Sequence, residues 1–333
     1  MTTEPELKSN YDDLTPDTVI DAIESQGYLS DARIIPLNSY ENRVYQVGID
    51  EQEPIIAKFY RPERWTDAQI QEEHDFTWEL ADAEIPVVPP IKNSNGETLF
   101  YYSGYRFSLF TRRGGQSPEP GDLDQLFRLG RLLGRIHIIG KERVFQQRPT
   151  LNIKTYGEEP TQLILDKHFI PAHLADRFEK VSETLLGKID QALKNTNALT
   201  NVRCHGDCHI GNILWHRDLG PAFVDMDDCI SAPAIQDLWM LLEGERHQKS
   251  LQISEVLEGY GEFMEFNKAE LQLIEPLRAL RMIHYAGWLA KRWDDPAFPM
   301  HFPWFNTDNY WTQHLAALDE QLLLLDEPPL SWY

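Results

Sequence analysis

The stretch Val202–Asp228, VRCHGDCHIGNILWHRDLGPAFVDMDD, constrains this chain more than any other. It carries two polar knots, His205-Gly206-Asp207 with Asn212 and Val224-Asp225-Met226-Asp227, joined through the apolar run Ile213-Leu214-Trp215. Asp207 and Asn212 stand five apart, the D-x-x-x-x-N spacing of loops that transfer phosphoryl groups. There the aspartate receives the proton of the attacking hydroxyl and the asparagine holds a magnesium ion. Asp225 follows thirteen residues after Asn212, on a second strand. A hairpin that returns the chain would bring these two hard oxygen ligands to one hard cation. Phosphoryl transfer is the chemistry this suggests.

A zinc site is the rival reading, because Cys204, His205, Cys208, His209 and Cys229 are all candidate ligands. Its spacing is poor: Cys-x-x-x-Cys is not a C-x-x-C unit and no second cysteine pair follows. Carboxylates and an amide suit magnesium better.

A length of 333 residues is enough for two lobes. The formal charge of −22 argues against nucleic acid or an anionic membrane as partner, since both would repel such a surface. Three cysteines do not make a disulfide framework, and reduced thiols point to the cytoplasm. The opening MTTEPELKSNYDD is acidic and unlike a signal peptide, and no run reaches the length that spans a bilayer.

Along the chain, Thr15-Pro16-Asp17-Thr18 is a helix start. Strand-like segments at Arg33–Pro36, Arg43–Ile49 and Ile55–Tyr60 then begin a small antiparallel sheet. Their first turn, Leu37 to Arg43, lacks glycine, but Asn38, Ser39 and Asn42 can aim N–H groups outward and the Ser39 hydroxyl can donate to a phosphate; an ordinary hairpin is the plainer reading. Lys58 ends Ile55-Ile56-Ala57 where it would neutralise the α and β phosphates, and alone it would read as a solvent-facing strand lysine. The helical segment Ala68–Ala81 follows, and one of its carboxylates must face Lys58: Glu73 is the first choice and Glu72 the reserve.

Strands at Thr98–Tyr102 and Tyr105–Thr111 lead into Arg112-Arg113-Gly114-Gly115-Gln116, where composition turns from sheet-like to helical. The lobe boundary is therefore placed near Thr111, giving a nucleotide-binding lobe over 1–111 and a helical catalytic and substrate lobe over 112–333. At that hinge the backbone of Leu109 to Thr111 is the expected contact for an adenine edge. Beyond it, Leu126, Leu129, Leu133 and Ile136 repeat at helical spacing, and Gly130 and Gly134 permit close approach of another helix. His137 reads as a core histidine. Phe178–Leu193 is a further amphipathic helix. Ser231 to Leu238 is expected to open a long helix, with Asp237 capping donors or orienting the catalytic loop. Leu277–Trp293, with Arg278, Arg281, His284, Tyr285, Trp288 and Arg292, is either a packing helix or a substrate wall, and Pro296–Trp311 should cover one end of the lobe.

The string H-G-D-x-H-x-x-N followed by an aspartate strand resembles the aminoglycoside-phosphotransferase and choline-kinase-like family, whose fold is that of a protein kinase. The resemblance implies an α+β, bilobal fold with a small antiparallel-sheet N-lobe and a mainly helical C-lobe. Four longer strings, Asn38–Tyr45, Lys58–Trp65, Gln236–Leu242 and Asp295–Pro299, look like a bacterial group of stress-response Ser/Thr protein kinases within that family. That likeness implies a cytoplasmic, monomeric enzyme that uses ATP and Mg2+, acts on Ser/Thr of protein substrates, including possible autophosphorylation, and aids survival under stress. It implies Asp207 as catalytic base, Asn212 and Asp225 as metal ligands, and Ser39 as a nucleotide contact. Against it, only seven residues separate Asp225 from Pro233, too few for a long activation segment, and Asp225-Met226-Asp227 stands in place of Asp-Phe-Gly. A small-molecule kinase of the aminoglycoside, choline or homoserine type is the alternative.

Overall fold

The computed structural model describes residues 7–332; the first six residues of the acidic opening lie outside it. The described chain forms two compact units. One holds the residues up to Glu119 with Glu142–Arg148 and His209–Cys229, and the other holds Pro120–Lys141, Pro149–Cys208 and the chain from Ile230 onward.

In the first unit, Thr15 accepts a hydrogen bond from the Thr18 amide and starts α1 (Pro16–Glu24), which buries Val19, Ala22 and Ile23. Strands β1 (Ser30–Pro36), β2 (Arg43–Ile49), β3 (Gln52–Phe59), β4 (Phe100–Tyr102) and β5 (Tyr105–Thr111) make one antiparallel sheet in the order β1-β2-β3-β5-β4. Lys58 pairs across it with Val44 and Ser108. Between β3 and β4, a capping box of Thr66 and Gln69 begins α2 (Asp67–Asp82). Its buried stripe is Ile70, Glu73, His74, Phe76, Thr77 and Leu80, so Glu73 shares a face with apolar residues. The sheet's core is Val47, Ile49, Ile55, Ala57, Phe59, Phe107 and Leu109 packed with α1.

Strand β6 (Asn201–Cys204) belongs to the second unit, but the hairpin of β7 (Ile213–His216) and β8 (Gly220–Phe223) belongs to the first. Gln116 and Trp215 exchange backbone hydrogen bonds of 3.1 and 2.6 Å, and Phe223 N donates to Pro86 O at 2.8 Å. Residues 112–119 and 209–229 thus fall in the same unit as the five-stranded sheet, whereas a division at Thr111 assigns them to the helical lobe.

The second unit is mainly helical: α3 (Leu123–Glu142), a π-helical turn at Lys154–Glu158, α4 (Glu159–Asp166), α5 (Ala172–Asn195), the β6 pairing with β9 (Ile230–Pro233), α6 (Ile235–Leu238), α7 (Arg246–Gly261), α8 (Ile274–Arg292), α9 (Ala297–His301) and α10 (Asp308–Leu324). Phe178, Leu185 and Ile189 of α5 pack with Leu280, Ile283 and Leu289 of α8 and with Phe298, Phe305 and Trp311. Each such side chain contributes about 1.5–3 kcal/mol by leaving water, so the Pro-aromatic segment lies over this core by burying Phe298, Phe302, Phe305 and Trp311 while Met300, Pro303 and Trp304 stay exposed. The glycines of α3 do admit a neighbour: a methyl at Gly130 would strike the Val256 carbonyl of α7, and one at Gly134 would lie 2.8 Å from Tyr260 O. The long helix expected after Ser231 is instead four residues of α6 and one 3₁₀ turn, Trp239–Leu241, ended by extended Leu242 and by Gly244 at φ +77°. Among the described residues, no helix is long and apolar enough to cross a membrane.

Candidate active site

In the first unit the buried Lys58 ammonium lies 2.9 Å from Asp225 Oδ1, 3.2 Å from Asp227 Oδ1 and 3.8 Å from Glu73 Oε1. Burial alone would lower its pKa, but these carboxylates outweigh burial and hold it well above the ordinary lysine value. Glu73 faces Lys58. Glu72 turns elsewhere, accepting from the backbone amides of Gln146, Gln147 and Arg148. Burial pushes the Glu73 carboxyl up to about 7 against the pull of Lys58. Asp227 goes the other way: it too is buried, yet Arg64, Lys58 and Arg148 together lower its pKa below the ordinary 3.8.

Asp227 is the most heavily tethered group in this cluster. Asn42 Nδ2 donates to its Oδ2 at 3.0 Å, and Arg64 spans Asp227 and Asp228. Arg148 donates to Asp227 O and, at 2.9 Å, to Cys229 O, with its guanidinium 4.1 Å from the Trp65 ring centre. These bonds fix the backbone just after Asp225, which stands in the left-handed region at φ 59°, ψ 63°. A non-glycine residue adopts that conformation at a cost of order 1–3 kcal/mol unless its surroundings enforce it. The Asp225 side chain remains 48% exposed. Asn212 ends a 3₁₀ turn capped by His209, and its carbonyl accepts from Val224 N at 3.0 Å, one step beyond the Ile213–Phe223 pair. The hairpin therefore seats Asn212 and Asp225 at its same end.

Ser39 sits half-buried in the β1–β2 loop. That loop is held by Arg61, whose Nε donates to Glu41 O at 2.7 Å and whose Nη2 donates to Tyr40 O at 3.0 Å. Asn42 Oδ1 accepts from Arg61 N at 3.0 Å. Leu109 is a core residue whose carbonyl accepts from Ile91 N at 2.7 Å, while Thr111 ends β5 exposed, opposite Ile55.

In the second unit Asp207 pairs with Arg281 of α8, Oδ1 to Nη1 at 2.6 Å. The loop before it hangs on Asp237, whose two oxygens accept from His205 N and Gly206 N, both at 2.8 Å. His137 bridges Asp237 at 3.1 Å and Tyr260 at 3.0 Å, and Gln236 Nε2 donates to Gly206 O at 3.0 Å. Burial raises the Asp237 pKa, but His137, His205 and the Gly206 amide outweigh it, so this buried carboxylate stays charged. The zinc reading finds no assembly here. Among the described residues, the metal-capable group is His137, Cys204 and Asp237, without Cys208, His209 or Cys229.

The donor set fits a hard divalent cation: an exposed carboxylate and an amide at one end of a hairpin. Hard oxygen donors of this kind suit magnesium, and the Asp225 carboxylate stays open to solvent. Sequence spacing pointed to Lys58, Glu73, Asn212 and Asp225, and the structure collects them in one unit, with Asp207 in the other. It named Asn42 only as a turn residue and Arg281 only on a possible substrate wall, and did not point to Arg61, Arg64 or Arg148. Several of these lie in strings that carry the family likeness, but spacing gives them no partner.

The model of the phosphotransferase enzyme family matches residues 33–274. The chain is 46% identical over 321 residues to stress response kinase A of Shigella flexneri, covering 96% of each protein. It is 45% identical, with the same coverage, to serine/threonine protein kinase RdoA of Salmonella typhimurium. Among solved structures it is similar to amicoumacin kinase hAmiN, in complex with AMP-PNP, Ca2+ and Ami, with TM-score 0.69, 19% identity and coverage of 93% and 94%. It is similar also to spectinomycin phosphotransferase APH(9)-Ia, in complex with ADP and spectinomycin, with TM-score 0.64, 16% identity and coverage of 92% and 98%.

Proposed function

Since the chain belongs to the phosphotransferase enzyme family and has its α+β fold, we propose that this kinase is an ATP- and Mg2+-dependent Ser/Thr protein kinase of stress response. The observation that carries the phosphoryl-transfer reading is Lys58 held by Asp225, Asp227 and Glu73, with Asn212 on the same hairpin as Asp225. The protein acceptor is supported by the relatives, whose names include serine/threonine protein kinase.

In this reading Lys58 neutralises nucleotide phosphates, and Glu73 keeps it aimed. Asn212 and Asp225 would hold a magnesium ion, which would supply neutralisation of phosphate charge. Ser39 contacts a phosphate from the β1–β2 loop, and Leu109 to Thr111 border the adenine. Asp207 takes the proton of the acceptor hydroxyl as that oxygen bonds to the γ-phosphorus and the bond to the β-phosphate oxygen breaks, releasing ADP. Positioning and charge neutralisation supply most of the acceleration. The proposal includes a cytoplasmic monomer, autophosphorylation, and a division of labour between 1–111 and 112–333.

A small-molecule acceptor is the second reading, favoured by the solved neighbours that act on amicoumacin and spectinomycin and by the seven residues between Asp225 and Pro233. The test is incubation with γ-labelled ATP alone, with a generic protein acceptor, and with choline, homoserine and aminoglycosides. Label recovered as phosphoserine or phosphothreonine is expected; label only on a small alcohol would transfer the protein to the second reading.

A further inference from the structure

We propose that Arg281 selects the acceptor: it recognises an anionic group, carboxylate or phosphate, close to the hydroxyl that is phosphorylated. This deepens the reading just given and rests on it. Arg281 lies on α8, seven residues beyond the segment that the family model matches. Its guanidinium sits 2.6 Å from Asp207, with 41% of its side chain and 24% of that of Asp207 exposed. The guanidinium side chain is the more open of the two, Asp207 Oδ1 being buried, so Arg281 is the partner that a ligand can reach. The neighbouring arginine differs. Arg278 is 19% exposed, lies 3.6 Å from Glu275 and is set against the Trp239 ring at 5.6 Å, a packing role.

Charge decides which acceptor such a residue serves. A surface of net charge −22 already attracts ammonium-bearing alcohols and repels acidic ones. A guanidinium beside the proposed base offsets the Asp207 charge that would otherwise draw an ammonium group, and its planar fork pairs with carboxylate or phosphate. One turn along α8, the half-exposed Tyr285 stacks on Trp288 with ring centres 5.7 Å apart and adds an aromatic shelf beside the cation. An acidic Ser/Thr peptide and a small hydroxy acid share the required chemistry, and the test separates them.

Binding is read by fluorescence anisotropy in AMP-PNP and Mg2+, independently of transfer. The probes are two labelled serine peptides, one flanked by glutamates and one by lysines, with glycerate and choline as competitors. Wild-type protein is expected to bind the acidic peptide at least tenfold more tightly than the basic one. Arg281→Glu should reverse that order, and Arg281→Lys should retain it with weaker binding. Competition by glycerate at low concentration, lost in Arg281→Glu, would support anion recognition while assigning the acceptor to small molecules. Choline competing better than glycerate, equal binding of the two peptides, an order unchanged in Arg281→Glu, or no binding of any probe would overturn the proposal. The protein-acceptor reading is judged separately, from label on serine or threonine.

Discussion

Asp225 and Asp227 are two residues apart and do opposite work. Asp225 is exposed and borrows Lys58 as its partner, so Asp225→Ala should lower nucleotide affinity tenfold or more in a magnesium titration; unchanged affinity would remove it from the metal site. Asp227 is buried among Arg64, Lys58, Arg148 and Asn42. A carboxylate whose pKa is depressed on folding stabilises the fold above its ordinary pKa, here 3.8, and loses that contribution as pH falls toward the folded value. Asp227→Asn should therefore destabilise by about 3 kcal/mol at neutral pH, the scale for breaking a buried ion pair. The difference from wild type in denaturant unfolding should shrink below pH 4; a difference independent of pH would contradict the depressed pKa. Lys58 and Glu73 were legible because strand and helix periods place them locally. Arg64 was not, since its partner Asp227 lies 163 residues away and no local period encodes such a pair.

At the scale of elements, helices were read from a helix-starting residue, as in α1, or from a helical pattern alone, as in α2, whose Thr66 cap was not read. The glycine spacing of α3 likewise announced a close neighbour, although not that α7 is the helix that approaches. Gly130→Ala should cost about 1–3 kcal/mol, the usual scale of overpacking, with little change in nucleotide affinity. Full stability by thermal unfolding would mean that the two helices separate easily. Asp237 was read from its first-turn position as capping donors or orienting the loop that carries Asp207, and its oxygens do accept from the backbone of His205 and Gly206 some thirty residues earlier; what its local position did not show is the β6–β9 pairing that brings the two together. That pairing takes up Ile230–Pro233, and extended Leu242 with Gly244 ends the helical segment after it, so α6 stays short.

For the molecule as a whole, the fold class was open to reading because strands concentrate before Thr111 and helices after it. The composition of the two units was not. Backbone hydrogen bonds between Gln116 and Trp215, and from Phe223 N to Pro86 O, tie residues beyond position 200 to the first unit, and such ties leave no mark on composition. The measurement that bears most directly on phosphoryl transfer by this site is the turnover of Asp207→Ala with γ-labelled ATP and magnesium. The expected result is a kcat about a hundredfold or more below wild type, the scale of a lost general base, with ATP still bound. Near-normal transfer by that variant would contradict it.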